Sequence, residues 1–244
     1  MRLMTLNIRH GSGADHLEKP GYDLPSSPAK LAAIGAAIHA VKPDIIALQE
    51  VRNQLQAENL ARLTGLDSIY MSHPLGYRLF FFEWGLAFLH RPTLLSTRSR
   101  AMLIDKASGI GRNSLLCSLT IDGEAVTVIN VHFDHLQQGL QMENVLKLLA
   151  EITQPVCLLG DFNCAPESPL FAGLKERLAD TCQLAGTESS QQAMTRGTLV
   201  EGQMRGDYIW VDPHRFAVHE AGLLADPHRK ISDHIGYFAD VTLS

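Results

Sequence analysis

The sequence has no Cys-x-x-Cys pair and only four cysteines, Cys117, Cys157, Cys164 and Cys182, set well apart in 244 residues. A chain this long does not need disulfide staples, so a disulfide scaffold and a structural zinc tetrad are both excluded and reduced thiols are expected. No run of 18 apolar residues occurs, and the opening MRLMTLNI lacks the long apolar stretch of a secretory leader. The expectation is a soluble, cytoplasmic protein without a stable membrane anchor. Basic charge is also short: 21 Lys and Arg stand against 26 Asp and Glu, for a net charge of −5. An extended grip on nucleic acid, which depends on neutralising many phosphates, is disfavoured. No Pro/Gly/Ser linker, repeat or low-complexity tract divides the sequence, so residues 1–244 are read as a single domain.

With 45% hydrophobic and 19% charged residues, the chain has ample material for a core. RLMTLNI reads as a first strand, followed by the glycine-bearing loop RHGSGADH. Ser27 is a helix N-cap with Pro28 at the first helical position, where its missing N–H does no harm. Leu31, Ile34, Ile38 and Val41 follow at helical spacing. DIIALQE is a buried strand that delivers Gln49 and Glu50 at its end. The segment from Arg91 to Arg112 carries five basic residues against Asp105 alone. It reads as a solvated loop or, in the alternative, as a local basic mouth with Arg112 as a substrate contact. SLLCSLTI and EAVTVINVHF flank an Asp122-Gly123 turn, which signals a hairpin. A helix over about 138–152, the strand PVCLLG, a short helix near 170–178 and the strands DYIWV, FAVHEA and GYFADVTL complete the reading. Leu79 and Phe81 of YRLFFFEW fit a buried strand, and an aromatic platform for bases or lipid is the alternative. Because several strands are joined by hairpins, two packed sheets with helices outside fit better than a doubly wound parallel sheet.

Polar groups gather at the strand ends: Asn7, Glu50, His132 with Asp134, Asp161 with Asn163, Asp207, and Asp233 with His234. Taken one at a time, each has the ordinary explanation of a turn residue or a surface histidine. Together they form an oxygen-rich set suited to a hard cation such as Mg²⁺ or Mn²⁺, with two histidines left over for proton traffic. Metal-assisted phosphoester hydrolysis needs that inventory.

The stretches MTLNIRHGSG, DIIALQEV, GLAFLHRP, INVHFDH, LLGDFNCAPES, RGDYIWV and ISDHIGYFADV, in this order over residues 4 to 241, resemble the endonuclease/exonuclease/phosphatase superfamily of metal-dependent phosphoesterases. The resemblance implies an α/β (α+β) fold, a four-layered αββα sandwich of two mainly antiparallel sheets packed face to face. It implies that Glu50 is the principal metal ligand, with Asn7 and Asp233 near the ion. Asp161 would activate the attacking water, Asn163 would clamp the phosphate, and His234 would stabilise charge with Asp207 fixing its tautomer. His132 would contact the phosphate from the opposite side. Some members carry an acidic residue where this chain has Arg9, which counts against a second metal site; Arg9 and His10 read as facing the anionic substrate or, in the alternative, as a flexible loop, and Arg229 and Lys230 of HRKISDH read as phosphate attractors or as a solvated loop. The expected partner is a substrate: a phosphorylated small molecule, a lipid headgroup or, as the alternative, DNA or RNA. A phosphate-binding relative without catalysis is a second alternative, and no obligate protein partner is indicated.

Overall fold

In a computed structural model of the chain, the structure describes residues 1–13, 26–73, 85–94, 96–105, 111–202, 204–225 and 231–244. Among the described residues, twelve strands form two six-stranded sheets. The first sheet contains β1 (Arg2–Asn7), β2 (Ile45–Val51), β3 (Asp67–Ser72), β4 (Gly85–His90), β11 (Phe216–Leu223) and β12 (Tyr237–Leu243), in the order β11-β12-β1-β2-β4-β3. The second contains β5 (Ser96–Asp105), β6 (Arg112–Ile121), β7 (Glu124–His132), β8 (Val156–Asp161), β9 (Ala179–Asp180) and β10 (Asp207–Val211), in the order β5-β6-β7-β8-β10-β9. Each sheet is antiparallel except for one central parallel pair, β1 with β2 and β7 with β8. A parallel pair needs a crossover. Helices α1 (Pro28–Val41) and α3 (Gln138–Ala150) provide these crossovers. The remaining helices are α2 (Gln54–Thr64), α4 (Ala172–Lys175), α5 (Thr181–Ala185) and α6 (Glu188–Arg196).

Three apolar clusters mark the three interfaces of an αββα sandwich. Leu3, Ile45, Ala47, Val126, Val128, Cys157, Leu159 and Ile209 lie between the sheets. Met4, Leu6, Ile46 and Leu48 meet α1 and α2 on one outer face, while Ile129, Val131, Leu158 and Trp210 meet α3 and α4 on the other. Odd positions of β1 therefore face the partner sheet and even ones face the helices, as period-2 alternation requires. Each fully buried Leu, Ile, Val or Phe contributes about 1.5–3 kcal/mol, so a one-residue slip in any central strand would forfeit several such terms. Register is fixed firmly, and with it the facing of every residue at a strand end.

Local signals agree with the sequence. Ser27 Oγ accepts from Lys30 N to cap α1, and Lys42 ends the helix in the left-handed region before Pro43. Asp122 and Gly123 both have positive φ, at 50° and 85°, which is the hairpin geometry that Asp-Gly favours. The segment 91–112 is corrected: residues 96–105 are the edge strand β5, paired only with β6, and not a loop. Its polar, charged letters hid it, and they are what edge strands carry to discourage further pairing. Helix α2 and strand β3, and helices α5 and α6, were also not read from the sequence. The aromatic stretch 77–84 and the pair Arg229 and Lys230 lie outside the described residues.

Gly160 is a strand glycine that combines a backbone clash with a positive φ. Its φ is 146°, and a Cβ there would stand 2.0 Å from the Val131 carbonyl oxygen of the neighbouring parallel strand. Gly160→Ala is expected to cost about 3 kcal/mol or more, since backbone cannot yield as a flexible side chain does. Urea denaturation of the variant measures this; a midpoint within experimental error of the unsubstituted protein would contradict it.

Candidate active site

The inter-sheet core ends in polar residues because the inward-facing row of each central strand turns polar toward the same end of the sandwich. Leu3 and Thr5 lead to Asn7, Val128 and Asn130 to His132, Cys157 and Leu159 to Asp161, and Ile209 is preceded on the same row by Asp207. Both sheets thus deliver their groups to one end of the sandwich. Glu50 departs from this rule. By alternation from Ile46 and Leu48 it should face the helices, but β2 bulges against β4 between Leu48 and Val51. Glu50 has φ 54°, which turns its carboxylate toward the partner sheet, and Val51 resumes the helix-facing row. A bulge can redirect a side chain in this way. The left-handed backbone at a non-glycine residue costs about 1–3 kcal/mol.

Asp161 is the point of convergence. Its Oδ2 lies 3.1 Å from Asn7 Nδ2, 3.5 Å from His132 Nε2 and 3.7 Å from His234 Nε2, and its Oδ1 accepts from Asn163 N at 3.0 Å. Asn7 Nδ2 also donates to Glu50 Oε1 at 3.1 Å, and Asn7 Oδ1 accepts from Arg9 N. Phe162, the residue between Asp161 and Asn163, turns to the opposite face and packs on Phe133, Phe171 and Tyr208 at centroid distances of 5.1, 5.8 and 5.6 Å. This aromatic anchor fixes the backbone of the Asp-Phe-Asn step. Asn163, with φ 51°, gives one amide hydrogen bond to Phe133 O at 2.8 Å, and its Nδ2 has a second hydrogen to offer.

His234 Nδ1 is bonded to Asp207 Oδ2 at 2.8 Å. The pair is set by the segment 198–200: Thr198 Oγ1 accepts from the amides of Gly206 and Asp207, Thr198 O accepts from Ile235 N, and Val200 N donates to Asp233 O. Ser232 Oγ donates to Asn7 O and lies 3.0 Å from Asp233 Oδ1, while Arg9 Nε stands 3.5 Å from Asp233 Oδ2. His10 Nε2 is 3.4 Å from Glu50 Oε2. Arg112 is buried, with Nη1 3.4 Å from His132 Nδ1 and Nη2 3.6 Å from Asp134 Oδ2.

The two imidazoles are tuned in opposite directions. Burial, and then the Arg112 charge, push His132 well below the usual histidine range. A guanidinium can only donate, so His132 Nδ1 is the acceptor and the proton of the neutral ring sits on Nε2, facing Asp161. Burial also opposes charge on His234, yet the carboxylates of Asp207 and Asp161 outweigh it and raise that group. Burial raises the Asp161 carboxyl above the ordinary carboxylate range, against the pull of His234.

Two donor sets suited to a cation share Asp161. Asp161, Asp207 and His234 each offer one atom within 4.8 Å of the others, and His234 Nδ1 and Asp207 Oδ2 are engaged with each other. In the other set, Asp161 Oδ2 and Glu50 Oε1 are drawn together on one amide nitrogen of Asn7. Two carboxylates that close, with no thiolate among them, fit a hard divalent ion. The structure thus brings Asn7, Glu50, His132, Asp161, Asn163, Asp207 and His234 together, with Arg9 and Asp233 on one flank and Arg112 on the other. Gln49, Asn130, Thr198 and Ser232 support the site and were given no role from the sequence. Period-2 spacing from His132 was the available signal for Asn130; a loop hydroxyl such as Thr198 gave none.

A model of the Endonuclease/Exonuclease/phosphatase family matches residues 4–234. No curated protein sequence matches the chain. Among solved structures, a functionally unknown conserved protein from Enterococcus faecalis superimposes with a TM-score of 0.82 at 21% identity over 100% of both chains. A mannosyl-6-phosphatase from Bacteroides thetaiotaomicron gives 0.77 at 17% identity over 99% of each chain. The human Nocturnin catalytic domain with bound sulfate gives 0.75 at 21% identity, covering 100% of this chain and 94% of that one. At these identities the structural likeness establishes the fold.

Proposed function

Since the chain belongs to the Endonuclease/Exonuclease/phosphatase family, we propose that it is a divalent-metal-dependent phosphoesterase in which Asp161 activates the attacking water. The observation that carries this reading is the crowding of one buried carboxylate oxygen, Asp161 Oδ2, by Asn7, His132 and His234, groups drawn from both sheets. Glu50, with Asn7 and Asp233 beside it, would hold the ion. When bound, Mg²⁺ or Mn²⁺ supplies Lewis-acid stabilisation of the phosphoryl oxygens.

The chain's own residues account for the remaining chemistry. The raised Asp161 carboxyl is poised to take a proton from water, as a general base is when its pKa lies near the working pH. His234, held as an imidazolium by Asp207, donates to an oxygen on which negative charge develops. His132 donates from Nε2 as a neutral ring, and Asn163 adds its remaining amide hydrogen. Buried donors of this kind need no reorganisation during the reaction, which gives them more effect than they would have in water.

The net charge of −5 favours a phosphorylated small molecule or lipid headgroup over a long nucleic acid. The test is hydrolysis of a bis-aryl phosphodiester and an aryl phosphomonoester with Mg²⁺ or Mn²⁺. Turnover is expected to vanish with a chelator and to return on adding Mn²⁺. Chelator-resistant turnover would remove the metal from the mechanism, and efficient plasmid nicking at moderate salt would reverse the substrate preference.

A further inference from the structure

Asn130 lies two residues before the end of β7, a central strand that an asparagine suits poorly, and it is fully buried, as is Gln49 opposite it. Its side chain leaves its own sheet. Nδ2 donates to Leu48 O at 2.9 Å and to Ala87 O at 3.0 Å, both in the first sheet, and Oδ1 accepts from Gln49 Nε2 at 2.8 Å. Leu48 and Ala87 are the last facing pair of β2 and β4 before the bulge, after which Gln49 and Glu50 together oppose Leu86 alone. An amide from the second sheet thus holds the carbonyls at the mouth of the irregularity, and the same amide fixes Gln49, the bulge's first residue. The next residue is Glu50, with its φ of 54°.

We propose that Asn130 is the positioning residue for Glu50: reaching across the sandwich, it closes the bulge that turns this carboxylate into the site, and so sets the affinity for the divalent ion. The chemistry selects asparagine, because the position needs two donors and one acceptor on a short stem. Aspartate cannot donate, and leucine of similar shape can do neither. The clamp also explains how Glu50 and Asn7, from one sheet, keep a fixed spacing to His132 and Asp161 of the other. The inference rests on the reading that Glu50 holds the cation.

The control is built into the same network. Thr5, equally buried in β1, exchanges hydrogen bonds with Gln49 at 3.1 and 3.3 Å, so Thr5→Val removes a comparable buried polar group while leaving Asn130 and both carbonyls it holds, Leu48 O and Ala87 O, in place. Mn²⁺ binding followed by electron paramagnetic resonance is expected to weaken by about 10- to 100-fold in Asn130→Ser, the range for residues that orient metal ligands. Thr5→Val is expected to weaken Mn²⁺ binding far less than Asn130→Ser, because it leaves the bulge carbonyls paired and so the orientation of the metal ligand unchanged. In a Glu50→Gln background, Asn130→Ser is expected to lower kcat no further. If the serine variant does not fold, Asn130→Gln, which keeps the amide but displaces it by one methylene, is expected to show the same loss. Equal losses for the Asn130 and Thr5 variants, or an undiminished Asn130 effect in the Glu50→Gln background, would overturn the inference. Absence of Mn²⁺ binding to the unsubstituted protein would instead bring down the metal reading beneath it.

Discussion

Asp161→Asn is expected to lower kcat by about 10²–10⁴-fold, the range that a lost general base commonly costs, while leaving the metal-free protein at least as stable as before. The second half of this expectation distinguishes a working residue from a structural one. Asp161 is about 1% exposed, and burial already lifts its carboxyl above the ordinary range, which means that its charge is held at a cost to folding. The amide has nearly the same shape and carries no charge. Its one oxygen keeps the bond from Asn163 N and gives up the one from Asn7 Nδ2, a loss offset by relief of the buried charge, and it can no longer accept a proton from water. Thermal melting without added metal, set beside kcat for an aryl phosphodiester, separates the outcomes. Loss of activity together with a lower melting temperature would mark Asp161 as a packing residue; loss of activity with an equal or higher one supports the base.

How far the site could be read from the letters depended on which physical rule placed each residue. Asn7, His132, Asp161 and Asp207 stand at the ends of rows that alternate between core and helix faces, so a period of two and a change from apolar to polar suffice to find them. Glu50 obeys no such rule. Alternation alone sends it to the helices, and only the bulge against β4 recovers it; a bulge arises from the pairing of two strands and leaves no mark in either one. The resemblance to the family supplied what periodicity could not. Edge strand β5 was hidden by its polar composition, and Thr198 was hidden because its partners, Asp207 and Ile235, are set by a long-range fold-back. Short helices α5 and α6 lacked the length over which a helical period becomes visible.

The two histidines that flank Asp161 should not be equivalent, and this asymmetry yields the other large effect. His234→Asn is expected to lower kcat by about 10³-fold, at the upper end of what a single stabilising donor supplies, whereas His132→Asn is expected to cost about 10–10²-fold, the smaller share due to a neutral donor. The reason lies in what stands behind each ring. His234 is backed by Asp207 Oδ2 at 2.8 Å, and its charge is favoured despite burial. His132 is backed by the Arg112 guanidinium at 3.4 Å, which together with burial keeps it neutral. A charged donor binds a developing phosphoryl charge about twice as strongly as a neutral one. An asparagine in either place is too short to keep the donor at the Nε2 position, so the difference between the two losses measures what charge adds to the hydrogen bond. Asp207→Asn should move in the same direction as His234→Asn with a smaller loss, because the ring remains but its charge loses support. Single-turnover rates of the three variants at one pH decide the matter: equal losses at His132 and His234 would show that both rings act only as neutral donors, and the electrostatic division across the site would have to be abandoned.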